Sequence, residues 1–543
     1  MTSIHLHSDL AEEYVPNGNA RTVFFISLIG LFVLIIAWIN YVNLSTARAL
    51  ERAREVGVRK VIGAVKKQLI LQFLVEAILV NLLSVLIAWG LTSLSLRYFN
   101  TISGLELNQS YLIKPWFLGL LAGLWLIGSL LSGFYPALVL SSFKPVEVLK
   151  GKLKNNIKGI LLRKGLVITQ FIASIALIAG TFVVYRQLKY MMNRDMGMNI
   201  DQVIVMERPG IADTNSTRYN ASIDMFRNEL KKSPSIQAVS ASFNIPGKQR
   251  EYKTFLKVLG NTSGDSVIVR YNSMDYHFLD VFQMKLIAGR NFSKEFPKDP
   301  DTSIIVTATT AKLLGFAKPE DIINKTMDVP GFNWKPIVIG VVNDYHQVSL
   351  KKALDPSIFF CSEYGGEFYS ARIKTKEIQA TIKTLEKSWT AAFPGNPFSY
   401  FFLDDYFNKQ YEQERKFEKL FVSFAILAII IGCLGLFGLS AYTASQRTRE
   451  IGIRKVLGAS VTGITSMLSK DFLKLVIIAI LIALPLSWWV MNNWLSDFAY
   501  RVKMGWWIFA AAGAIALLIA MLTVSFQAIK AAIANPVKSL RTE

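Results

Sequence analysis

The chain of 543 residues has two cysteines, four histidines and a shortage of acid: 39 Asp plus Glu stand against 60 Lys plus Arg, a net charge of +21. Two thiols make no disulfide scaffold, and Cys433 lies inside a long apolar run away from Cys361, so the pair is not read as a bridge. His5, His7, His277 and His346 show no H-E-x-x-H spacing, so no metal centre is expected. No G-x-x-x-x-G-K-[ST] segment occurs, which leaves no phosphate-cradling loop. The first 22 residues lack a basic start and a short apolar core with a cleavage site, and so do not read as a signal peptide. What abounds is apolar surface. At 52% hydrophobic residues and a mean hydropathy of +0.34, the chain is no disordered polymer.

The location of the basic excess decides what it means. Residues 186 to 415 hold 30 basic and 26 acidic side chains, whereas the other 313 residues hold 30 and 13. The excess therefore lies between long apolar runs, which marks cytoplasmic loops of a membrane protein and not a nucleic-acid groove. Seven stretches exceed the roughly 18 apolar residues that a spanning helix needs. They cover about 23 to 44, 70 to 96, 115 to 142, 165 to 185, 420 to 446, 475 to 496 and 504 to 529, and hold one charge, Glu76.

Orientation follows from the basic loops. Residues 45 to 69 and 143 to 164 carry seven Lys and Arg each, and 447 to 474 carry six, with Lys530, Lys538 and Arg541 in the tail. Residues 97 to 114 and 497 to 503 carry two each and fall on the other side. The expected fold class is a polytopic α-helical membrane protein with one large extracytoplasmic α+β domain.

An internal repeat is the most informative feature. "REVGVRKVIGA" at 54 to 64 and "REIGIRKVLGA" at 449 to 459 are 395 positions apart, with eight of eleven residues identical and three aliphatic exchanges. Glu76 aligns with Asp471, and Gly90 with Pro485, a shared helix irregularity. Each unit closes on Pro-Val-x-x-Leu-basic: Pro145, Val146, Leu149 and Lys150, then Pro536, Val537, Leu540 and Arg541. The second unit reads span, soluble domain, span, basic loop, span, short outer loop, span, tail, and the first shows only the later part. The difference, on the order of 230 residues, equals one span plus one domain, and the expectation is that an N-terminal part is missing. The domains are then 1–22, the remnant of a first outer domain; 23–151, a first membrane unit of three spans; 160–185, a span; 186–417, the outer domain; and 418–543, a second membrane unit.

These repeated loops, with one outer domain and four spans per complete unit, resemble the FtsX-like and MacB-like ABC transporter permeases in their duplicated form. "YHFLDVFQMKLIAGRNFS" (276 to 293) and "VIGVVNDYHQVSLKKALDP" (338 to 356) are similar to that family's periplasmic core domain. The resemblance implies a permease that is not itself an enzyme and binds no cofactor, with ATP and Mg bound by a separate cytoplasmic ATPase dimer. It further implies lipid surroundings, no nucleic acid, and in some members a periplasmic adaptor and outer-membrane channel. Work of this kind extrudes peptides, macrolide-like compounds, lipids or lipoproteins, or activates wall hydrolases. Two alternatives stand beside export. One is a peptide-sensing permease working with a sensor kinase; the other, an intramembrane enzyme, lacks paired catalytic residues in the spans.

The resemblance assigns ATPase coupling to Arg54, Glu55, Gly57, Arg59, Lys60 and Gly63 and to Arg449, Glu450, Gly452, Arg454, Lys455 and Gly458. Each copy reads as a short basic helix in which Glu55 and Arg59, or Glu450 and Arg454, are four apart and able to bridge. Val56, Lys60 and Gly63 share a stripe repeated by Ile451, Lys455 and Gly458, and Gly57 and Gly452 permit close approach of another surface. The plainer reading is a positive anchor with helix-ending glycines. Glu76 and Asp471 read as interfacial partners of the basic loops in preference to a proton relay.

In the outer domain, 202 to 206, 266 to 271, 303 to 307 and 336 to 342 read as strands, and 222 to 233 and 378 to 393 as amphipathic helices. Asp344 and His346 read as a hydrogen-bonded turn, as do "GMN" and "NTSGDS". Charged helical stalks, 185 to 195 and 407 to 420, join the domain to the membrane.

Overall fold

The structure is a computed structural model that describes residues 20–141, 157–211, 216–248, 252–260, 266–374 and 376–533. The remnant expected at 1–22 falls almost wholly outside the described residues, as do both Pro-Val-x-x-Leu closures and most of "NTSGDS". Among the described residues, seven helices are long and apolar enough to cross a membrane, one for each run. The chain is a polytopic membrane protein with a large extracytoplasmic domain, and it divides into two compact units.

In chain order, α1 (Ala20–Val61), α2 (Lys66–Ser103), α3 (Pro115–Ser141) and α4 (Ile157–Asn193) come first. The α+β domain follows, with strands β1 (Val203–Glu207), β2 (Ile236–Ser242), β3 (Lys253–Val258), β4 (Val267–Met274), β5 (Leu286–Gly289), β6 (Ser303–Thr307), β7 (Met327–Asp328), β8 (Ile337–Val342), β9 (Ser357–Cys361), β10 (Phe368–Ile373) and β11 (Tyr400–Phe402). Its two longer helices are α5 (Ser216–Lys231) and α6 (Ile378–Ala392). The chain ends with α7 (Glu412–Gln446), α8 (Thr448–Val456), α9 (Val461–Leu495) and α10 (Trp506–Ile533).

In the membrane unit, some of the buried polar groups fasten helices together. Asn81 donates to Ser132 Oγ at 2.9 Å and the Trp125 indole to the Ile78 carbonyl at 3.0 Å, which ties α2 to α3. In hydrocarbon such side chains find partners on a neighbouring helix, because water is absent. Pro485 lies inside α9, which continues past it.

The domain is one mixed sheet in the order β11-β1-β10-β2-β4-β9-β6-β8-β5, with β3 and β7 branching from β4. Two apolar cores serve it. Phe226, Tyr369, Leu385 and Trp389 close one where α5 and α6 cover β1, β2 and β10; Ile304, Val306, Val338 and Ile358 lie in the other. Between them the sheet is nearly severed, since β2 meets β4 only at Ser242 and Met274.

Polar side chains bridge that joint. Buried Asp275 takes the Arg227 guanidinium at 2.6 Å, the Ser240 hydroxyl at 2.7 Å and the Ala241 amide at 2.8 Å. Burial pushes the Asp275 carboxyl above the usual range, against the opposing pull of Arg227 and these bonds.

Residues 496–501, the short connection between α9 and α10, fold with this domain. The Ala499 amide donates to the Lys351 carbonyl at 3.0 Å. The Tyr500 ring meets His346 edge-on with centroids 4.9 Å apart, and the Arg194 guanidinium lies 4.3 Å above the same ring. The turn after β8 therefore holds the loop. Asp344 accepts from both the amide and hydroxyl of Thr309 at 2.8 Å, which fixes the turn. Gly197, at φ +74°, presses so closely on the Asp344 carbonyl that a Cβ there would overlap it. The "GMN" turn thus requires its glycine.

Candidate functional site

Each repeated loop folds as helix, glycine turn, helix. In the first copy the motif is the continuous end of α1; in the second the chain breaks at Arg447 and α8 forms separately. Both copies stop in the same way. The Ala64 amide donates to Arg59 O at 2.9 Å and the Gly63 amide to Lys60 O at 3.1 Å; Ala459 to Arg454 and Gly458 to Lys455 repeat both distances. These are the two bonds of a Schellman stop, with Gly63 at φ +105° and Gly458 at φ +90°. The glycines are there for backbone conformation, since a Cβ at either meets open space.

The charged residues bond within the motif and to the helices beside it. Glu55 bridges Arg59 at 2.6 Å, and Glu450 bridges Arg454 at 2.8 Å. Arg59 also donates to Gln72 Oε1 at 2.8 Å, and Arg454 reaches Met467 Sδ at 2.7 Å. Gln72 and Met467 are equivalent positions, so both arginines brace the motif helix against the next span. Lys455 donates to the carbonyls of Ala532 and Ile533 at 2.8 and 3.2 Å, where a cation suits the C-terminal end of α10. Lys60 is half-buried.

Inward, Val56 packs with Leu69 and Phe73, and Ile451 with the equivalent Ile464 and Leu468. Gly452 is buried, so the close approach it was expected to offer another surface is not presented to solvent. The side chains at Arg54, Gly57 and Arg449 lie outside the described residues. Outward, Val58, Val61 and Ile62 are exposed, as are the equivalent Ile453, Val456 and Leu457; Ile62 and Leu457 are each 80% exposed. The two loops thus carry one apolar knob each, of the same shape, on a basic helix-turn-helix.

The comparisons with known proteins follow this division of the chain. Residues 27–145 and 422–536 match the model of the FtsX-like permease C-terminal region, and residues 168–384 match the MacB-like periplasmic core domain. The chain belongs to the FtsX-like and MacB-like permease family. Among similar curated proteins, the macrolide export ATP-binding/permease protein MacB of Campylobacter jejuni (subsp. jejuni serotype O:23/36, strain 81-176) is 26% identical over 146 residues, 26% of this chain and 22% of that protein. MacB of Psychrobacter cryohalolentis is 31% identical over 147 residues, 26% of this chain and 21% of that protein. The match therefore spans about a fifth of these relatives' length. Of solved structures, the periplasmic region of MacB from Actinobacillus actinomycetemcomitans covers 41% of this chain and 97% of its own at 17% identity and a TM-score of 0.29. The extracellular domain of the transporter YknZ from Gram-positive bacteria covers 36% and 97% at 15% identity and a TM-score of 0.25.

In this permease, Asp471 pairs with Arg447 of the basic loop at 3.3 Å. Glu76, its equivalent, is half-buried. The exposed apolar knob is the feature that reading for charge and glycine overlooks. Its signal is the i, i+3, i+4 spacing of Val58, Val61 and Ile62 on one helix face, repeated in the second copy.

Proposed function

We propose that this permease is the membrane-spanning subunit of an inner-membrane ABC transporter whose ATP hydrolysis occurs in a separate cytoplasmic ATPase dimer. The observation that carries the reading is the pair of equivalent knobs, Val58, Val61 and Ile62 and then Ile453, Val456 and Leu457, each held on a braced helix-turn-helix. A dimeric ATPase offers two like sockets, and two like knobs in one chain suit it. Exposed aliphatic groups at a basic surface mark a protein contact, because water does not favour them. Glu55, Arg59, Glu450 and Arg454 keep the knobs rigid, so that force passes to the spans without loss in a flexible loop.

At the outer side, α4, α7 and the held loop 496–501 carry motion to the domain. The cargo class follows the family: peptide, macrolide-like compound, lipid or lipoprotein, with a periplasmic adaptor and outer-membrane channel as further partners. No catalytic residue is assigned, since the work is mechanical.

The test is co-purification of the tagged full chain with its candidate ATPase from membranes. Wild type brings the ATPase down, and Ile62→Asp plus Leu457→Asp loses it while the permease stays folded. Retention of the ATPase by that double variant at wild-type yield would sink the knob assignment.

A further inference from the structure

The two repeats meet inside the membrane unit, and they meet unequally. Position 40 of α1 and position 435 of α7 are equivalents, 395 apart in the register that aligns the two motifs. A two-fold axis between parallel helices brings equivalent positions face to face, and here Asn40 faces Gly435. Asn40 is buried, and its Nδ2 donates to the Ile431 carbonyl of α7 at 2.8 Å. Its Oδ1 has no hydrogen-bond partner among the described residues and lies against the bare Cα of Gly435. A Cβ placed on Gly435 would overlap that carboxamide. Three residues on, a Cβ on Gly438 would overlap Leu44; the residue equivalent to Gly438 is Asn43.

The duplication has therefore diverged at its own axis. One helix carries Asn40 and Asn43 where the other carries Gly435 and Gly438. At this helix spacing only one of the two facing positions has room for a side chain. Two copies of α1 brought together would set asparagine against asparagine and have to separate. Two copies of α7 would leave a void and no donor for the carbonyl of residue 431. Small residues permit close backbone approach in a bilayer, and a carboxamide on the partner supplies the hydrogen bond that fixes register.

We infer that the Asn40 knob and Gly435 socket make the two membrane halves of one chain each other's partner and discriminate against pairing of like halves from two chains. The pairing of the two halves is then made within one chain. This inference holds whether or not the ATPase reading does; joined to it, one permease chain presents both knobs to one ATPase dimer.

The experiment exchanges knob and socket in the full chain, purified in nanodiscs. Asn40→Gly, Gly435→Asn and the double exchange are compared by thermal midpoint, with Asn40→Ala as a variant that keeps helix propensity. The single changes lower the midpoint, Gly435→Asn the most, and the double exchange regains most of that loss, because the knob now sits on α7 and the socket on α1. Wild-type copies with different tags, co-expressed, do not co-purify through this seam. If the double exchange loses as much as the two singles together, the knob and socket are not coupled and the inference fails. Co-purification of wild-type copies that Gly435→Asn abolishes would overturn it too, by placing the contact between chains. The ATPase pull-down reads a different surface, so the two failures are distinguishable.

Discussion

His346 is buried, with its amide donating to the Met196 carbonyl at 2.9 Å and its ring against Tyr500. Burial first, and then the Arg194 guanidinium, hold its pKa below the ordinary imidazole value of 6.5, against the opposing pull of Asp344. The sign follows from linkage. A base whose pKa is depressed in the packed state favours packing when neutral; that contribution is complete above the ordinary value and is lost as pH falls through the depressed one. Acidification therefore loosens loop 496–501. Hydrogen exchange in that loop, corrected for its intrinsic pH dependence, rises between about pH 7.5 and about pH 5, and His346→Gln flattens the rise. An unchanged pH response in the variant would remove His346 from this role. At Asp275, Asp275→Ala leaves Arg227 buried without its counter-charge, which costs roughly 3–5 kcal/mol. Its reading is earlier thermal unfolding of the domain, and a midpoint equal to wild type would show the sheet joint to be held by other contacts.

At the scale of elements, the helix-turn-helix is where sequence and structure speak most directly to one another. Eight identical positions out of eleven first suggest a surface conserved between the two copies for a partner, yet Glu55, Arg59 and Gly63 and their equivalents act within the motif. Of the identical residues, these build the element, whereas the identical pair Val61 and Val456 lies on the exposed knob. Val56 and Ile451 pack inward, Val58 and Ile453 outward. Gly458→Ala forces a Cβ into a left-handed turn at about 1–2 kcal/mol, although nothing blocks the Cβ itself. The expected result is a co-purification yield with the ATPase reduced but not abolished, and Gly63→Ala behaves alike. A loss as complete as with Ile62→Asp plus Leu457→Asp would mean that the glycines themselves touch the partner. Other elements were legible in unequal measure. Strand β6 falls on the expected residues because three branched aliphatics in a row, Ile304, Ile305 and Val306, need a sheet buried on both faces. The parallel pairing of β4 with β9, 87 positions away at Arg270 and Ser357, is written in no local pattern. Nor is the hold of His346 on Tyr500, since an isolated "NDYHQ" carries only turn chemistry.

For the whole molecule, seven apolar runs were readable one by one because a bilayer asks the same of every spanning helix: length and the near absence of charge. How those helices pair was not readable, because in lipid the choice rests on single small or polar residues such as Asn40 and Gly435, whose partners are hundreds of positions away. Orientation lies between these cases. Lys and Arg resist translocation, so the loops holding residues 62 and 457 stay inside and the domain holding Asp301 goes outside. This is checked in a chain with Cys361→Ser and Cys433→Ser by placing single cysteines at the exposed positions Ile62, Leu457 and Asp301. A membrane-impermeant maleimide labels Asp301→Cys in intact spheroplasts, and labels Ile62→Cys and Leu457→Cys only after permeabilisation. Both knobs have to share a side for one ATPase dimer to grasp them together. Labelling of one knob position in intact cells would therefore refute the seven-span path and, with it, the paired-knob basis of the transport reading.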